Sequence, residues 1–213
     1  MKRNTIIALV YWFVLAAALF AAGQAQAIDR RLLYVFGGVY VLLSWGTLLV
    51  VKFIERRPLV SLGFQWRSPL RTVLWAFGIF VLNTILLIID IWYRLSFCGE
   101  SLESVARPIP NLLVEIVEQL LWIGLLEEIV NRGYLLTRLR ESWGTWPALL
   151  VSAFLFGASH LALSDLPKAI MAGLSGVMYG VAFLKTNSIY APATAHILGN
   201  LTGAAIVRAV FSH

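Results

Sequence analysis

Long apolar runs separated by short polar loops fill almost the whole chain. Each run has about the 17–25 residues that a helix needs to cross the hydrocarbon core of a bilayer. The pattern predicts an all-α polytopic membrane protein with about seven transmembrane helices, and no repeat or linker divides residues 1–213 into smaller domains. The predicted spans are Thr5–Gly23, Leu32–Val51, Thr72–Ile91, Asn111–Arg140, a helix that starts near Pro147 and carries Phe156 and His160, Ala169–Leu184, and a last helix that carries His196 and Asn200.

The composition agrees with a membrane protein and leaves no room for a soluble domain of useful size. Hydrophobic residues make up 60% of the chain and charged residues 13%, whereas soluble domains are about 45–50% apolar and about 25% charged. The net charge of +6 does not indicate nucleic-acid binding, because the basic residues lie mainly in short loops at the ends of the spans. The single cysteine, Cys98, excludes an internal disulfide.

The most basic loop follows the second predicted span. It carries Lys52, Arg56, Arg57, Arg67 and Arg71. Short loops rich in lysine and arginine stay in the cytoplasm. We therefore expect a multi-pass protein of the bacterial cytoplasmic (inner) membrane, with the N-terminus in the cytoplasm if the first span is retained.

The first apolar run has two interpretations. Its end, Ala25-Gln26-Ala27, resembles the cleavage site of a signal peptide. The run itself is longer than the usual core of about 7–15 residues in a signal peptide. We expect it to be retained as a transmembrane helix.

The fourth predicted helix is expected to run unbroken from Asn111 to about Arg140 and to deliver Arg138 and Arg140 to the cytoplasm. Its first half contains Glu115, Glu118 and Gln119, which suggest a wet cavity or an interfacial position. The outer connection before it holds Arg94, Glu100, Glu103, Arg107, Pro108 and Pro110.

Two adjacent carboxylates and an arginine interrupt the apolar part of the fourth helix. A charged side chain at the bilayer centre costs about 2.5–3.5 kcal/mol even on mild insertion scales. Glu128 and Arg132 are four residues apart, so on a helix they share a face and neutralise one another. Glu127 points roughly 100° away and lacks that partner, which leaves it free for chemistry.

Later helices carry two more polar pairs with the same spacing. Phe156 and His160 are four residues apart, as are His196 and Asn200. Polar faces in membrane helices turn toward one another rather than toward lipid, so these faces should converge with Glu127. One difficulty is the depth of His160 in the membrane. It lies about 20 Å along its helix from Pro147, so tilted or broken helices must bring it to the level of the carboxylates.

A carboxylate, two imidazoles and a carboxamide that converge are sufficient for amide hydrolysis. Taken singly, each has a simpler interpretation. The pair formed by Glu128 and Arg132 fits a purely structural role, and Asn200 alone would serve as a hydrogen bond between helices. Together, two matched polar pairs that follow a double glutamate favour a catalytic site.

At these residues the sequence resembles the CPBP intramembrane proteases, an Abi-like family that includes the CAAX prenyl endopeptidases and bacteriocin-processing relatives. The family pattern is Glu-Glu-x-x-x-Arg, Phe-x-x-x-His and His-x-x-x-Asn in that order, and this chain matches it over roughly residues 111–205, the expected catalytic helices. The matching residues are Glu127, Glu128, Arg132, Phe156, His160, His196 and Asn200.

The resemblance implies hydrolysis of a peptide bond inside a membrane cavity. It assigns Glu127 and His160 to the activation of water, and His196 with Asn200 to the oxyanion hole. Glu128 and Arg132 would hold the site. The first half of the chain carries no motif of the family.

No cofactor is required by this mechanism, which we prefer. The alternative is a zinc ion held by Glu127, His160 and His196, since catalytic zinc takes three protein ligands and an open position. The motif of the common zinc proteases is absent.

The expected substrate is a membrane protein or a lipidated or leader peptide within the lipid bilayer. Two other functions stay open at this point. One is a non-proteolytic role in bacteriocin immunity or as a membrane scaffold. The other is an ion carrier that uses Glu127, although no inverted repeat of the kind found in many carriers is visible.

Overall fold

A computed structural model describes residues 1–101 and 111–211, with side chains apart from those of Arg30, Leu112 and residues 204–211. The described residues form helices and contain no strand. The all-α prediction is therefore confirmed. The helices are α1 (Arg3–Ile28), α2 (Arg30–Leu49), α3 (Pro69–Phe97), α4 (Leu112–Leu121), α5 (Gly124–Glu128), α6 (Thr137–Trp143), α7 (Thr145–Ser159), α8 (Leu166–Thr186) and α9 (Tyr190–Phe211).

Shorter helical segments extend some of these elements. A π-helix continues α2, a 3₁₀ turn precedes α3, a second π-helix joins α5 to α6, and another 3₁₀ turn ends α7. Their bounds are Val50–Ile54, Leu59–Leu62, Ile129–Leu136 and His160–Ala162.

Within the described ranges, five helical segments are long and apolar enough to cross a membrane. Their outward faces carry large apolar side chains such as Leu42, Phe77 and Phe154, each more than 60% exposed. Such a surface is stable against lipid and not against water. The chain is a multi-pass membrane protein. The five segments are Arg3–Ile28, Arg31–Ile54, Pro69–Phe97, Thr145–Ala162 and Leu166–Thr186.

The prediction of one unbroken fourth helix is wrong. Helix α4 ends at Leu121, and the backbone N–H groups of Trp122 and Ile123 both donate to the carbonyl of Glu118, at 2.8 and 3.0 Å. A new helix starts at Gly124. The break lies where α9 packs closest, because a Cβ on Gly124 would lie 2.6 Å from the Cγ1 atom of Ile197.

The π-helix Ile129–Leu136 passes through the centre of the protein. All eight of its residues are buried. It contacts α1, α2 and α7, and also the 3₁₀ turn before α3. At Gly133 the approach is so close that a Cβ would lie 2.8 Å from the carbonyl oxygen of Leu62. The segment that follows the two glutamates is therefore held by both halves of the chain.

Arg138, which was predicted to reach the cytoplasm, is buried within the protein. Its side chain is 1% exposed, and its Nε atom donates to the Oε2 atom of Glu55 at 2.8 Å. A buried guanidinium needs such a carboxylate partner. Arg140, two residues later, is exposed. The side of the membrane on which both residues lie stays a prediction.

Arg94 is not part of the connection after α3 but of its last turn, where it is 7% exposed. It donates to Asp90 at 3.2 Å, to Glu100 at 3.1 Å and to both carboxylate oxygens of Asp165, at 2.8 and 2.7 Å. This cluster joins the end of α3 to the loop between α7 and α8. Four other residues predicted for this connection, Glu103, Arg107, Pro108 and Pro110, lie outside the described residues.

Helices α7 and α8 pack closely through small residues. A Cβ on Gly157 would lie 2.7 Å from the carbonyl oxygen of Ala169, and one on Gly176 would lie 3.2 Å from the Cα atom of Ala153. Small residues therefore let the backbones of the two helices approach closely. It brings the end of α7, which carries Phe156, against α8.

Helix α1 is tied to the segment that carries the two glutamates. The indole Nε1 of Trp12 donates to the Oδ1 atom of Asn131 at 3.1 Å, and Asn131 in turn donates from Nδ2 to the backbone carbonyl of Glu127 at 2.9 Å. Thr5 donates to the carbonyl of Arg138 at 2.6 Å. These contacts support the retention of residues 1–27, which stays a prediction.

Candidate active site

Glu128 and Arg132 form a fully buried ion pair. The Oε1 atom of Glu128 lies 2.9 Å from the Nη1 atom of Arg132, and the two side chains are 0% and 1% exposed. Both lie at the junction of α5 and the π-helix, one turn apart. The spacing in the sequence predicted this pair, and the structure contains it.

The same oxygen of Glu128 also contacts His196 on α9, at 2.9 Å from the imidazole Nδ1 atom. The interpretation of Glu128 as a partner of Arg132 alone was therefore incomplete. A carboxylate only accepts hydrogen bonds, so the proton of this contact lies on Nδ1 of His196. The Nε2 atom of the ring is thereby turned toward the other glutamate.

Glu127 faces that Nε2 atom. Its Oε2 atom lies 4.0 Å from Nε2 of His196, and its side chain is 20% exposed. The Oε2 atom itself is buried and has no hydrogen-bond partner among the described residues. Glu127 is thus the less constrained of the two carboxylates, as the helix geometry predicted.

Three aromatic contacts fix the orientation of the charged groups. The ring of Tyr179 on α8 stacks on His196, with centroids 4.9 Å apart and planes 16° apart. The guanidinium of Arg132 lies 5.3 Å from the ring of Tyr179 and 4.2 Å from that of Phe156. Sequence reasoning missed Tyr179, because no polar pattern on α8 singles it out.

His160 lies against Phe156, at the end of α7. Its ring is 4.8 Å from that of Phe156, while the ring of His196 is 6.2 Å from Phe156. The Nδ1 atom of His160 is 2.8 Å from the backbone carbonyl of Phe156. Because a carbonyl only accepts, Nδ1 carries the proton, and Nε2 of the neutral ring is left as a free acceptor.

The structure does not join His160 directly to Glu127. Among the described residues, no hydrogen bond or ion pair links the two side chains. Both imidazoles lie near the ring of Phe156, so His160 belongs to the same region as His196.

Asn200 lies one turn beyond His196 on α9 and is held by α4. Its Nδ2 atom donates to the Oε1 atom of Gln119 at 2.8 Å, and Nε2 of Gln119 donates to Glu115 at 3.0 Å. Gln119 is only 3% exposed. Glu115 and Gln119 therefore point inward to the site, and Asn200 keeps its second amide hydrogen for another partner.

The broken fourth helix brings the two glutamates against α9. Helix α5 packs against α9, which places Glu127 and Glu128 at the level of His196. Phe156 connects that level to His160 at the end of α7. Side chains from three separate parts of the sequence therefore share one buried region.

Three polar atoms in this region are buried without a hydrogen-bond partner among the described residues. They are Oε2 of Glu127, Oε2 of Glu128 and Nη2 of Arg132. Buried polar groups in proteins are nearly always paired, with protein or with bound water. Their concentration at one place indicates a site that receives water or substrate.

The zinc alternative finds no preformed ligand set. In the parts of the chain that the structure describes, no three His, Cys, Asp or Glu side chains are grouped to hold a metal ion. Both imidazoles lie near the ring of Phe156, and Nδ1 of each is already engaged.

Comparisons with known proteins bear on the same part of the chain. Residues 109–202 match the family model described as Rce1-like, Type II CAAX prenyl endopeptidase Rce1-like. A relative from Escherichia coli, described as "Uncharacterized 24.3 kDa protein", is 26% identical over 214 residues, which cover 93% of this chain and 93% of the relative. No solved structure matches.

The matched residues include the whole of the region described above, from Glu115 on α4 to Asn200 on α9. The match supports a CAAX-type intramembrane protease. This match agrees with the resemblance seen in the three motifs: residues 109–202 are similar to the Rce1-like, Type II CAAX prenyl endopeptidases.

Proposed function

We propose that the chain is an intramembrane endopeptidase that hydrolyses a peptide bond in a membrane-associated protein or peptide. One observation carries the proposal. The buried Oε2 atom of Glu127 lies 4.0 Å from Nε2 of His196 and has no partner among the described residues. Two polar atoms at this separation are bridged well by one water molecule, which Glu127 is placed to deprotonate.

In the proposed reaction Glu127 is the general base. It takes a proton from water as the water oxygen forms a bond to the carbonyl carbon of the substrate. The C–N bond then breaks, and the proton passes from Glu127 to the leaving amine. His160 assists by accepting a hydrogen bond from the water at its free Nε2 atom. For this contact the ring of His160 must move closer to Glu127 when substrate binds.

The oxyanion is stabilised by α9. His196 donates from Nε2 when both ring nitrogens carry protons, with Nδ1 held on Glu128. Asn200 donates the amide hydrogen that Gln119 leaves free. Donors positioned in advance in a site shielded from water stabilise developing charge strongly, with single donors worth about 2.7–4 kcal/mol in known hydrolases.

In this proposal Glu128 and Arg132 do not react. The carboxylate of Glu128 fixes the tautomer of His196, and Arg132 balances its charge. No metal or other cofactor takes part. The proposed substrates are prenylated or otherwise lipidated tails, leader peptides and membrane-proximal tails, since all of these bring a peptide bond to the depth of the site.

The basic loop between α2 and α3 defines the proposed cytoplasmic side. The loop contains Arg56, Arg57 and Arg67, and in the bacterial inner membrane such loops stay inside. The N-terminus lies on the same side, because Lys2 donates from its backbone to Ser142, and Arg57 pairs with Glu141 nearby.

The test compares cells that carry the wild-type chain, Glu127→Gln or the matched control Glu118→Gln, by terminal-peptide mass spectrometry of the membrane fraction. Protein termini produced by the protease are expected with the wild type and the control and absent with Glu127→Gln at equal abundance of the three proteins. Identical termini in all three would contradict the proposal. A phenotype rescued by a Glu127→Gln/His160→Ala double variant would favour the immunity or scaffold function instead.

A further inference from the structure

The first half of the chain contains polar atoms that the reaction described above does not use. Among the described residues seven buried side-chain atoms lack a hydrogen-bond partner. Three of them belong to Glu127, Glu128 and Arg132 in the site. The other four are Ser44 Oγ, Thr47 Oγ1, Glu55 Oε1 and Tyr134 OH.

Helix α2 presents a row of hydroxyl groups next to the site. Tyr40, Ser44 and Thr47 are spaced by four and three residues, so they share one face of the helix and span about 10 Å along it. Ser44 and Thr47 are 0% exposed. Helix α2 packs against α5, and Tyr40 lies within electrostatic reach of Glu127 with Ser44 as its neighbour.

Tyr11 of α1 continues the row on the side away from Glu127. Its hydroxyl donates to the carbonyl of Leu43 and lies beside Thr47. The ring of Tyr11 meets that of Tyr134 edge-on, with centroids 6.3 Å apart. Tyr11 thus lies next to hydroxyl-bearing side chains of both α2 and the π-helix.

The far end of the row reaches the surface at the basic loop. The guanidinium of Arg138 lies 5.5 Å from the ring of Tyr134 and pairs with Glu55 at 2.7 Å. Its Nη1 atom is 3.8 Å from Glu141, whose side chain is 24% exposed. Polar groups therefore connect this surface to the buried side of Glu127.

We propose that these side chains line a path of bound water that carries the hydrolytic water from the basic end of the protein to Glu127. We call it the α2 water path and define it by Glu55, Tyr134, Tyr11, Thr47, Ser44 and Tyr40. The consumption of this water in peptide hydrolysis rests on the proposed function. Each cleavage consumes one water molecule, whose oxygen ends in the new carboxyl group.

A separate route is useful because the substrate occupies the other side. Glu127 is partly exposed, and in the proposed reaction the substrate reaches it from the exposed side. Its Oε2 atom faces inward and stays accessible to the α2 water path. Left dry, the four buried polar atoms outside the site would offset a large part of the net stability of a domain, which is why bound water is the better explanation.

The path is tested without any substrate by hydroxyl-radical footprinting of the full chain in lipid nanodiscs made up in ¹⁸O-labelled water. Radicals generated from bound water oxidise the side chains next to it. Tyr134 is 1% exposed, and Phe183, a buried aromatic off the path, is 4% exposed. Strong labelling of Tyr134 relative to Phe183 is expected, and equal labelling of the two would overturn the proposal.

A pair of isosteric variants locates the path. Thr47→Val removes a hydroxyl on it, whereas Thr84→Val removes one that is already bonded to its own helix, at the carbonyl of Phe80. We expect Thr47→Val to lower the labelling of Tyr40 severalfold and Thr84→Val to leave it unchanged. A rise in the melting temperature of Thr47→Val with unchanged labelling would overturn the proposal, because it would show a dry hydroxyl.

If Thr47→Val does not fold, the footprint of the wild-type chain still decides. The footprint and the comparison of Glu127→Gln are independent. A missing footprint with protease activity would remove the α2 water path alone, and a footprint with unchanged termini in Glu127→Gln would remove the proposed base.

Discussion

The imidazole of His196 and the carboxylate of Glu128 are 2.9 Å apart, although the two residues lie 68 positions apart in the sequence and on different helices. This contact joins the double glutamate to the last helix. It turns what looked like a local ion pair into a three-residue cluster of Arg132, Glu128 and His196. The same cluster directs Nε2 of His196 toward Glu127.

Replacing Glu128 should damage the fold more than replacing Glu127. Glu128→Gln leaves Arg132 and His196 around a neutral amide inside the protein, and removing one partner of a buried ion pair typically costs about 3–5 kcal/mol. Glu127→Gln should leave stability nearly unchanged, since Oε2 of Glu127 has no partner among the described residues. Thermal unfolding of the three proteins in one detergent is the measurement, and equal melting temperatures for the two variants would argue against the cluster.

Tyr179 should support activity through its ring and not through its hydroxyl. Its ring stacks on His196, and aromatic contacts of this kind contribute about 0.5–1.5 kcal/mol. Tyr179→Phe should therefore keep near-normal turnover, whereas Tyr179→Leu should lower kcat by roughly 2- to 10-fold. The ratio of kcat between the two variants is the measurement. If Tyr179→Phe were as slow as Tyr179→Leu, the hydroxyl of Tyr179 and not its ring would support activity.

Metal chelation should not inactivate the purified protein. The described residues contain no grouped set of three metal ligands, and Nδ1 of both site histidines is occupied. Activity before and after dialysis against a strong chelator is the measurement. A complete loss of activity that is reversed by added zinc would establish the alternative, a zinc ion held by Glu127, His160 and His196.

The ion pair between Arg94 on α3 and Asp165 in the α7–α8 loop should be lost at acid pH. The guanidinium of Arg94 lowers the pKa of Asp165 from its ordinary value of 3.8 to about 2. Since the carboxylate binds protons less readily when folded, its stabilising effect is full above pH 3.8 and disappears as the pH falls through about 2. Asp165→Asn should melt below the wild type at neutral pH and converge with it near pH 2, so parallel pH profiles would contradict the assignment.

Local spacing predicted the parts of the site that lie on one helix. The pairing of Glu128 with Arg132 and the contact of Phe156 with His160 both follow from a separation of four residues. The length and apolarity of the runs likewise predicted the membrane-spanning helices. These features depend on the geometry of a single helix and on the cost of charge in lipid.

Features that depend on two helices could not be predicted from spacing. The break before Gly124 arises where α9 places Ile197 against it, and the burial of Arg138 depends on Glu55 from another loop. The stacking of Tyr179 on His196 is of the same kind. The sequence contains these residues but does not show which of them meet.

The first half of the chain holds the site although it carries none of the three motifs. Trp12 reaches Asn131, and Asn131 reaches the backbone of Glu127. The match to the family model does not cover this half of the chain. Helix α2 in this half contributes the row of hydroxyls. Contacts of this kind explain how a short set of motifs is held at one depth in the membrane.

The central claim is that Glu127 activates water for hydrolysis inside the membrane. Its most direct test uses the substrate that terminal-peptide mass spectrometry identifies, incubated in ¹⁸O-labelled water with the reconstituted wild type, Glu127→Gln and the control Glu118→Gln. We predict that the wild type and the control place one ¹⁸O atom in the new carboxyl group and that Glu127→Gln yields no product. Labelled product from Glu127→Gln at the wild-type rate would contradict the account.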